Sequence, residues 1–378
     1  MFIIGIDGSR ALAKNKTGIG WYSFYLIKAL QEIAKDRNDL KFVLYSNQPL
    51  SLLSLKEKET PLNWQIRFLS WPWRFFWTQI RLSLEMMKNP PDVLFVPAHS
   101  LPLFCPKFNV LTIHDLGFER FPYLYSRKER ASLQFSYRLG AQRAQKIIVP
   151  SLFTKKELID FYNINPDKIV FIPLGYDKNI FCQGDDFLKN DQAVLARYKI
   201  NFPYFLYVGR INKKKNISLL ISAFEKFIKK SSLPFKLILI SSDNISLGQN
   251  NSFLLKLPYL SHKEIASFYR RSEAFIFPSL YEGFGLPLLE AMACGTPVIA
   301  SRIPAFLEIG KDAPLYFSPH NQDELIFCLH KIINEPELRK KIISRGFEIS
   351  DAYSWRKCAQ QTLKILEFQN YSSPAKNF

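Results

Sequence analysis

The stretch PSLYEGFGLPLLEAMACGTPVIAS, residues 278–301, sets two carboxylates, Glu282 and Glu290, eight positions apart in an otherwise apolar run. It reads as the end of a strand, a glycine turn, a short helix and a further strand. AFIFPS (274–279) is the first strand, and Gly283 and Gly285 allow close backbone approach or positive φ in the turn. Pro287 suits the first helical position, where a missing N–H costs nothing. Gly295 stops the helix, Pro297 follows it, and PVIAS (297–301) is extended again. This places Glu282 on the turn and Glu290 on the first turn or so of the helix, facing back toward it.

The same rhythm runs outward in both directions. FLYVGR (205–210) and KLILIS (236–241) read as strands, with helices over 218–230, 286–294 and 323–334. Upstream, FIIGID (2–7), KFVLYS (41–46), DVLFVPA (92–98), NVLTIHD (109–115) and KIIVPS (146–151) alternate with helical patterns at 21–35, 73–88 and 127–145. Repeated βα units predict an α/β protein with parallel, doubly wound sheets. The series breaks over 175–202, where polar content is mixed and no period is clear, so the inter-domain linker is expected there. A chain of 378 residues has room for two domains. Open parallel sheets bind ligands beyond the carboxyl ends of their strands, and two of them facing each other would enclose a cleft. Asp7–Gly8, His114–Asp115, Gly209–Arg210 and Pro278–Glu282 all fall just after a strand.

Free N–H groups in the glycine turn and at the helix start suit a phosphate. The carboxylates do not; they accept hydrogen bonds from hydroxyls, and each has two oxygens for a vicinal diol. Phosphate in the middle and a polyol at each end is the layout of a sugar nucleotide. A plainer reading has Glu290 supporting the helix by its charge and Glu282 solvated. A second stretch bears on the choice. VGRINKKKN (208–216) puts Arg210, Lys213, Lys214 and Lys215 on one loop between strand and helix. Such a loop is commonly just solvated, but a buried pyrophosphate needs cations, and arginine binds its oxygens in a fork.

Taken together, these stretches resemble a known family. EGFGLPLLEAMACGTPVIAS is similar to the motif of two glutamates with seven residues between them in retaining glycosyltransferases of the GT-B fold, class four, also called glycosyl transferases group 1. VGRINKKKNISLLISAF, IDGSR with TGIGWYSFYLIKAL, LTIHDLGFERFP, IVPSLFTKKEL and YSWRKCAQQTLKIL resemble further family stretches, in order, over nearly the whole chain. The resemblance implies two Rossmann-like domains facing across a cleft: residues 1–175 for the acceptor, 176–354 for the nucleotide sugar, and 355–378 as a C-terminal helix packing back on the first. It implies that Glu290 binds ribose hydroxyls, and that Glu282 with the backbone of Gly283, Phe284, Gly285 and Leu286 holds the donor sugar. Gly209 opens the loop from which Arg210 and Lys215 grip the diphosphate and stabilise the leaving group. His114 would lie beside the sugar, although a lone histidine is more often a satisfied core residue, and Asp115 can equally be a turn cap. The loop Gly18–Ile19–Gly20 would approach the diphosphate or the acceptor.

No Asp-x-Asp occurs in the chain. With the family's retention of configuration, this implies a metal-independent transfer without cofactor, in which Arg210, Lys215 and amide dipoles meet the leaving-group charge. RIPAFLEIGKDAPLYFSPHN (302–321) and the YSW ending resemble mannosyl- and rhamnosyltransferases. The expected donor is GDP-mannose first and a UDP-sugar second; the expected acceptor is a glycan or lipid-linked saccharide of cell-surface polysaccharide or lipopolysaccharide synthesis. The rival functions are a GT-B sugar-nucleotide hydrolase or epimerase and a non-catalytic sugar-nucleotide-binding subunit.

Charge and cysteine usage bear on partners and place. Lys and Arg number 51 against 33 Asp and Glu, a formal net charge of +18, which suits anionic lipid, phosphorylated small molecules or nucleic acid. No zinc finger, recognition helix or other nucleic-acid module accompanies it. The stretch 123–156 is rich in Lys and Arg, and 63–88 interleaves four of the six tryptophans with Arg67, Arg74 and Arg81. Such interleaving can seat a protein on an anionic membrane surface; the same aromatics can equally fill a core. Five cysteines without a CxxC pair speak for a reducing compartment. No signal peptide or spanning segment is legible. The expected place is the cytoplasm, with a peripheral seat on the inner face of the cytoplasmic membrane.

Overall fold

The computed structural model describes residues 1–13, 16, 18–48, 61–73, 76–230, 234–243 and 252–367. They form two compact units, residues 1–175 with the C-terminal helix, and Tyr176–Ser354. The first holds β1 (Phe2–Asp7), β2 (Leu40–Ser46), β3 (Trp64–Phe68), β4 (Val93–Val96), β5 (Phe108–Thr112), β6 (Lys146–Val149) and β7 (Ile169–Phe171), with helices α1 (Gly18–Ala34), α2 (Ser83–Lys88), α3 (Gly117–Arg120), α4 (Arg127–Arg143) and α5 (Leu152–Tyr162). The second holds β8 (Tyr204–Val208), β9 (Lys236–Ile240), β10 (Leu254–Leu257), β11 (Phe275–Phe277), β12 (Val298–Ser301) and β13 (Leu315–Phe317). Its helices are α6 (Leu188–Arg197), α7 (Ile217–Lys230), α8 (His262–Arg271), α9 (Leu286–Ala293), α10 (Pro304–Gly310), α11 (Gln322–Asn334) and α12 (Pro336–Asp351).

Both sheets are wholly parallel, in the orders β3-β2-β1-β4-β5-β6-β7 and β10-β9-β8-β11-β12-β13. Helices cover such sheets on both faces, so central strands are buried throughout and read as unbroken apolar runs. β4, β5, β8, β11 and β12 are buried at every position. The four strands that the sequence does not announce are β3, β7, β10 and β13, and each is a sheet edge. An edge strand is half-exposed and short, which erases the apolar run. β10 and β13 each bury one residue only.

Three further expectations change. The helix read over 73–88 begins at Trp77 as a π-helical turn to Leu82 and continues as α2. Helix α1 begins at Gly18, so the expected loop Gly18–Ile19–Gly20 is its first turn. The stretch 175–202 is not a free linker: from Tyr176 on it belongs to the second unit and carries α6. A buried ion pair ties α6 to α8. Arg270 Nη2 and Nε lie 2.6 and 2.8 Å from the two oxygens of Asp191, with side-chain exposures of 6% and 3%, and Arg270 also donates to the Cys182 carbonyl at 3.1 Å. Removing one partner strands a buried charge. Asp191→Ala is expected to lower stability by about 3–5 kcal/mol, seen as a lower urea midpoint at unchanged slope; an unmoved midpoint would refute this role.

The C-terminal helix α13 (Trp355–Leu366) belongs to the first unit. Its stripe of Trp355, Cys358, Ala359, Thr362, Leu363 and Leu366 is buried, the spacing of one helical face. Trp355 stacks on Tyr25 of α1 at 5.7 Å and 10°, and Arg37 bridges Asp39 and Glu367.

Candidate active site

In each sheet the strand order reverses once, between β1 and β4 and between β8 and β11. Ligands of open α/β sheets bind beyond the carboxyl ends of the strands at this switch point. In the second unit Gly209 and Arg210 follow β8, and residues 278–282 follow β11. The two loops that flank the switch point are thus the two that the sequence singles out.

The basic loop is built by local capping. Asn212 accepts from Lys215 N at 3.2 Å and starts a single 3₁₀ turn, Lys213–Lys215. Asn216 closes the turn at φ 57, where asparagine is tolerated, and its amide donates to the Pro319 carbonyl at 2.8 Å. Gly209 sits at φ 150, and a Cβ there would stand 3.0 Å from the Tyr207 hydroxyl, which itself donates to the Arg210 carbonyl at 2.6 Å. Asp243, beyond β9, accepts from Ile211 N at 2.6 Å and lies 3.5 Å from Arg210 Nε. The Arg210 side chain remains 63% exposed, so its guanidinium is oriented but accessible.

The acidic turn is stitched to this loop. Leu280 N donates to the Lys214 carbonyl at 2.8 Å. Lys215 Nζ and Ser279 Oγ both donate to Glu282 Oε1, the latter at 2.8 Å. Lys215 and Glu282 side chains are 16% and 12% exposed, and the ammonium lies 5.3 Å from the Phe277 ring centroid, within cation–π reach. Glu282 is therefore not simply solvated. It is one half of a recessed ion pair, so the diphosphate grip and the sugar contact expected of Lys215 and Glu282 reside in a single unit.

Gly285 caps α9 at φ 124, and a Cβ would fall 2.9 Å from the Phe306 ring. Only glycine fits that position. Phe284 is buried, edge-on to Tyr353. Among the described residues, the N–H groups of Phe284, Gly285 and Leu286 make no hydrogen bond with the protein, as the first N–H groups of any helix must find partners outside it. Pro287 takes the second helical position, and Gly295, at φ 72, follows the last turn. Glu290 lies one turn further along α9 than Leu286. Its carboxylate makes no hydrogen bond among the described residues, and burial pushes its pKa up to about 8.

In the first unit His114 follows β5, one strand from the switch point. Its Nε2 lies 3.3 Å from the Pro97 carbonyl, which fixes the tautomer with the proton on Nε2 and leaves Nδ1 to accept. The ring packs edge-on against Tyr22 at 4.6 Å. Burial pushes its pKa down to about 4, against the pull of the Pro97 carbonyl and Asp115, so the imidazole is neutral at pH 7. Asp115 precedes Leu116, the N-cap of α3, and its side chain accepts from Gly117 N at 3.0 Å. Gly18 has open space where a Cβ would stand, whereas a Cβ on Gly20 would lie 3.0 Å from the Arg10 carbonyl; Gly20 is thus needed for close packing and Gly18 is free to meet a ligand.

Reading the sequence did not single out Ser279 or Asp243. Asp243 lies a few residues beyond the carboxyl end of β9, so the strand-end rule was the available signal. Ser279 was in the quoted stretch but only its contact with Glu282 reveals its part. Among the described residues no group of three or more His, Cys, Asp or Glu is placed to hold a metal ion.

Two parallel α/β units, with a cationic loop and an acidic turn at the switch point of the second, define a GT-B glycosyltransferase. Residues 18–179 match the family model "Glycosyltransferase Family 4", and residues 196–348 match "Glycosyl transferases group 1". O-antigen chain mannosyltransferase B of Escherichia coli is 26% identical, the alignment covering 92% of this chain and 95% of that one. An uncharacterised glycosyltransferase, MJ1178 of Methanocaldococcus jannaschii, is 30% identical over 62% of this chain and 69% of its own length. Sucrose-phosphate synthase of Thermosynechococcus elongatus superposes with a TM-score of 0.75 over 99% of this chain and all of that one, at 17% identity. The chain belongs to family 4 of the glycosyltransferases, the glycosyl transferases group 1.

Proposed function

We propose that this glycosyltransferase moves a hexose from a nucleoside diphosphate sugar to a glycan or lipid-linked saccharide, retaining the anomeric configuration and using no metal. The observation that carries the reading is the Arg210 loop joined to the Glu282 turn through Lys215. An open guanidinium and a recessed ammonium meet diphosphate oxygens, free N–H groups at α9 add to them, and Glu282 and Glu290 accept from hydroxyls. In the step proposed, the acceptor oxygen bonds to the anomeric carbon on the face from which the C–O bond to phosphate breaks. The acceptor proton passes to the departing phosphate oxygen, and Arg210 and Lys215 stabilise the diphosphate that forms. His114, neutral at pH 7, serves as a hydrogen-bonding group toward the sugar and not as a cation.

Mannose is the first choice of sugar, with GDP-mannose as donor and a UDP-sugar second. The supporting relatives are the mannosyltransferase from E. coli and O-antigen chain mannosyltransferase RfbU of Salmonella typhimurium, 26% identical over 86% of this chain. Their names also support a place in O-antigen or related lipopolysaccharide synthesis. The test is incubation of the purified protein with each sugar nucleotide and candidate acceptor in the presence of a chelator, with proton NMR of the new anomeric centre. Transfer with retention supports the proposal; release of free sugar without transfer to any acceptor favours the hydrolase alternative, and inversion contradicts the step.

A seat on an anionic membrane is part of the proposal, on a different basis from the arginines. Arg67 and Arg81 both pair with Glu85, at 2.7 and 3.4 Å, and Arg74 lies outside the described residues. Trp64 and Trp77 are buried, which is the core role open to the aromatics of that stretch. What is exposed is apolar: Ile80, Leu84 and Met87 recur at helical spacing within residues 77–88, with Trp73 and Phe76 ahead of that segment and Leu103 and Phe104 also exposed, and Phe104 N donates to Ser83 Oγ at 3.3 Å. With a net charge of +18, such a face suits an anionic bilayer. Among the described residues no helix is long and apolar enough to cross a membrane. Ile80→Ser with Leu84→Ser and Met87→Ser is expected to cut partition into phosphatidylglycerol-containing vesicles by about ten-fold or more and leave nucleotide binding intact. Undiminished partition would reject this face.

A further inference from the structure

We propose that Tyr207 and Asp243 are positioning residues for Arg210: they clamp the peptide unit that joins Arg210 to Ile211, and so hold the guanidinium ready for a diphosphate. The inference rests on the transferase reading, in which Arg210 meets the diphosphate of the donor.

A peptide unit is planar, and its C=O and N–H point to opposite sides. Here both ends are held by side chains. The Tyr207 hydroxyl donates to the Arg210 carbonyl at 2.6 Å, and Ile211 N donates to Asp243 Oδ2 at 2.6 Å. Two bonds at opposite ends fix the rotation of the plane, and with it the direction in which the Arg210 side chain leaves the backbone. The second oxygen, Asp243 Oδ1, lies 3.5 Å from Arg210 Nε. The same carboxylate therefore acts on the base and on the head of the arginine.

The clamp is built from two neighbouring strands. β8 ends at Val208 and β9 at Ile240, and Gly209 N donates to the Ile240 carbonyl at 3.0 Å. Tyr207 is fully buried, so its ring is a fixed support. Its hydroxyl reaches past Gly209, where a Cβ would stand 3.0 Å from that oxygen and 3.4 Å from the ring carbon that bears it. Glycine leaves the room that this reach needs. Asp243 is set by its own turn: its N–H donates to Ser241 Oγ at 3.1 Å, and Ser241 N donates to the Leu257 carbonyl at 3.1 Å.

The surroundings show what the clamp is for. Gly209 gives the loop a hinge, and the Arg210 side chain is 63% exposed. An arginine on an unheld loop loses backbone and rotamer freedom when it grips a phosphate, whereas a held one has lost part of it on folding. A charge that is already in place also stabilises a developing anion without reorganisation. A tyrosine hydroxyl that only satisfied a buried polar group would serve the fold alone.

Titration calorimetry with UDP, GDP and dTDP in the presence of a chelator separates the two roles. The proteins are wild type, Tyr207→Phe, Asp243→Ala, Asp243→Asn, Arg210→Ala and Tyr207→Phe/Arg210→Ala, with circular dichroism and urea midpoints as checks of the fold. Tyr207→Phe keeps the ring and changes no charge. It is expected to weaken binding of the diphosphate that wild type binds by about five- to ten-fold. It should also flatten the salt dependence of that binding, as Arg210→Ala does, because the guanidinium no longer meets the phosphate. In the Arg210→Ala background the same change should cost less than about two-fold, since no arginine is left to place. Asp243→Ala and Asp243→Asn both remove the charge, but only asparagine keeps an acceptor for Ile211 N. Asp243→Asn should therefore bind about five-fold more tightly than Asp243→Ala. If Tyr207→Phe costs the same with and without Arg210, or nothing in either, or if the two Asp243 variants bind alike, the inference is overturned and the donor reading stands. Arg210→Ala that binds as tightly as wild type, or a wild type that binds none of the three, would overturn both.

Discussion

Lys215→Ala, like Glu282→Ala, is expected to abolish transfer while the chain still folds. The two side chains form one recessed unit with Ser279. Removing the ammonium takes away a preorganised positive charge where diphosphate charge develops, a loss of roughly 10³-fold in kcat on the scale of a single such stabiliser. It also leaves Glu282 facing the same oxygens, so repulsion replaces attraction. The stability cost is about 1.5–3 kcal/mol, that of a hydrogen bond to a charged group, which a folded unit of this size survives. Far-ultraviolet circular dichroism checks the fold and single-turnover kinetics the rate. A Lys215→Ala protein that folds and transfers at the wild-type rate would sink the site.

Glu290→Gln is expected to do two opposite things, to stabilise the unliganded protein and to weaken nucleotide binding. The folded-state pKa of about 8 lies above the ordinary carboxyl value. The folded state therefore holds a proton that the unfolded chain has lost, and stability falls as pH rises from about 4.5 to 8. The whole shift corresponds to about 5 kcal/mol; the carboxyl keeps some water contact, which reduces the expected gain to about 2 kcal/mol. The glutamine variant should match wild type near pH 4 and exceed it above pH 8. Its affinity for a ribonucleotide should drop ten-fold or more, because a charged acceptor of ribose hydroxyls is lost. A glutamate that served only to support α9 would behave otherwise: its loss would leave nucleotide affinity unchanged. Denaturation midpoints at pH 4 and pH 8.5, with titration calorimetry at the higher pH, separate the two.

The contrast between central and edge strands explains what was legible in the sequence. β1, β2, β4, β5, β6, β8, β9, β11 and β12 announce themselves as apolar runs because neighbours and helices bury them. β3, β7, β10 and β13 do not, because one side of each is open. The glycine turn at 283–285 and its helix were legible from local rules: a glycine forced to positive φ, a proline in the first turn and a glycine after the last. Pairing was not. That Lys215 meets Glu282, and that Asp243 holds the Arg210 loop, depends on which strands adjoin, and the crossover from β8 to β11 is set by the sheet. Gly18 and Gly20 looked like a loop for lack of side chains, yet they begin α1, where Gly20 is needed for its approach to the Arg10 carbonyl. Of the arginines of 63–88 that looked like a membrane surface, Arg67 and Arg81 pair with Glu85, a contact that the sequence does not announce.

The central claim is that the second unit binds a nucleoside diphosphate through Arg210, Lys215 and Glu290. The most direct measurement is the melting temperature of the purified protein against UDP, GDP and dTDP with a chelator present. A ligand at about one hundred times its Kd adds about 2.7 kcal/mol to the folded state. The account predicts that one of the three raises the melting temperature of the wild type, that Arg210→Ala/Lys215→Ala loses that rise, and that Glu290→Gln cuts it to about half or less. A wild type that none of the three shifts at millimolar concentration, or a rise that survives all of these substitutions, would contradict it.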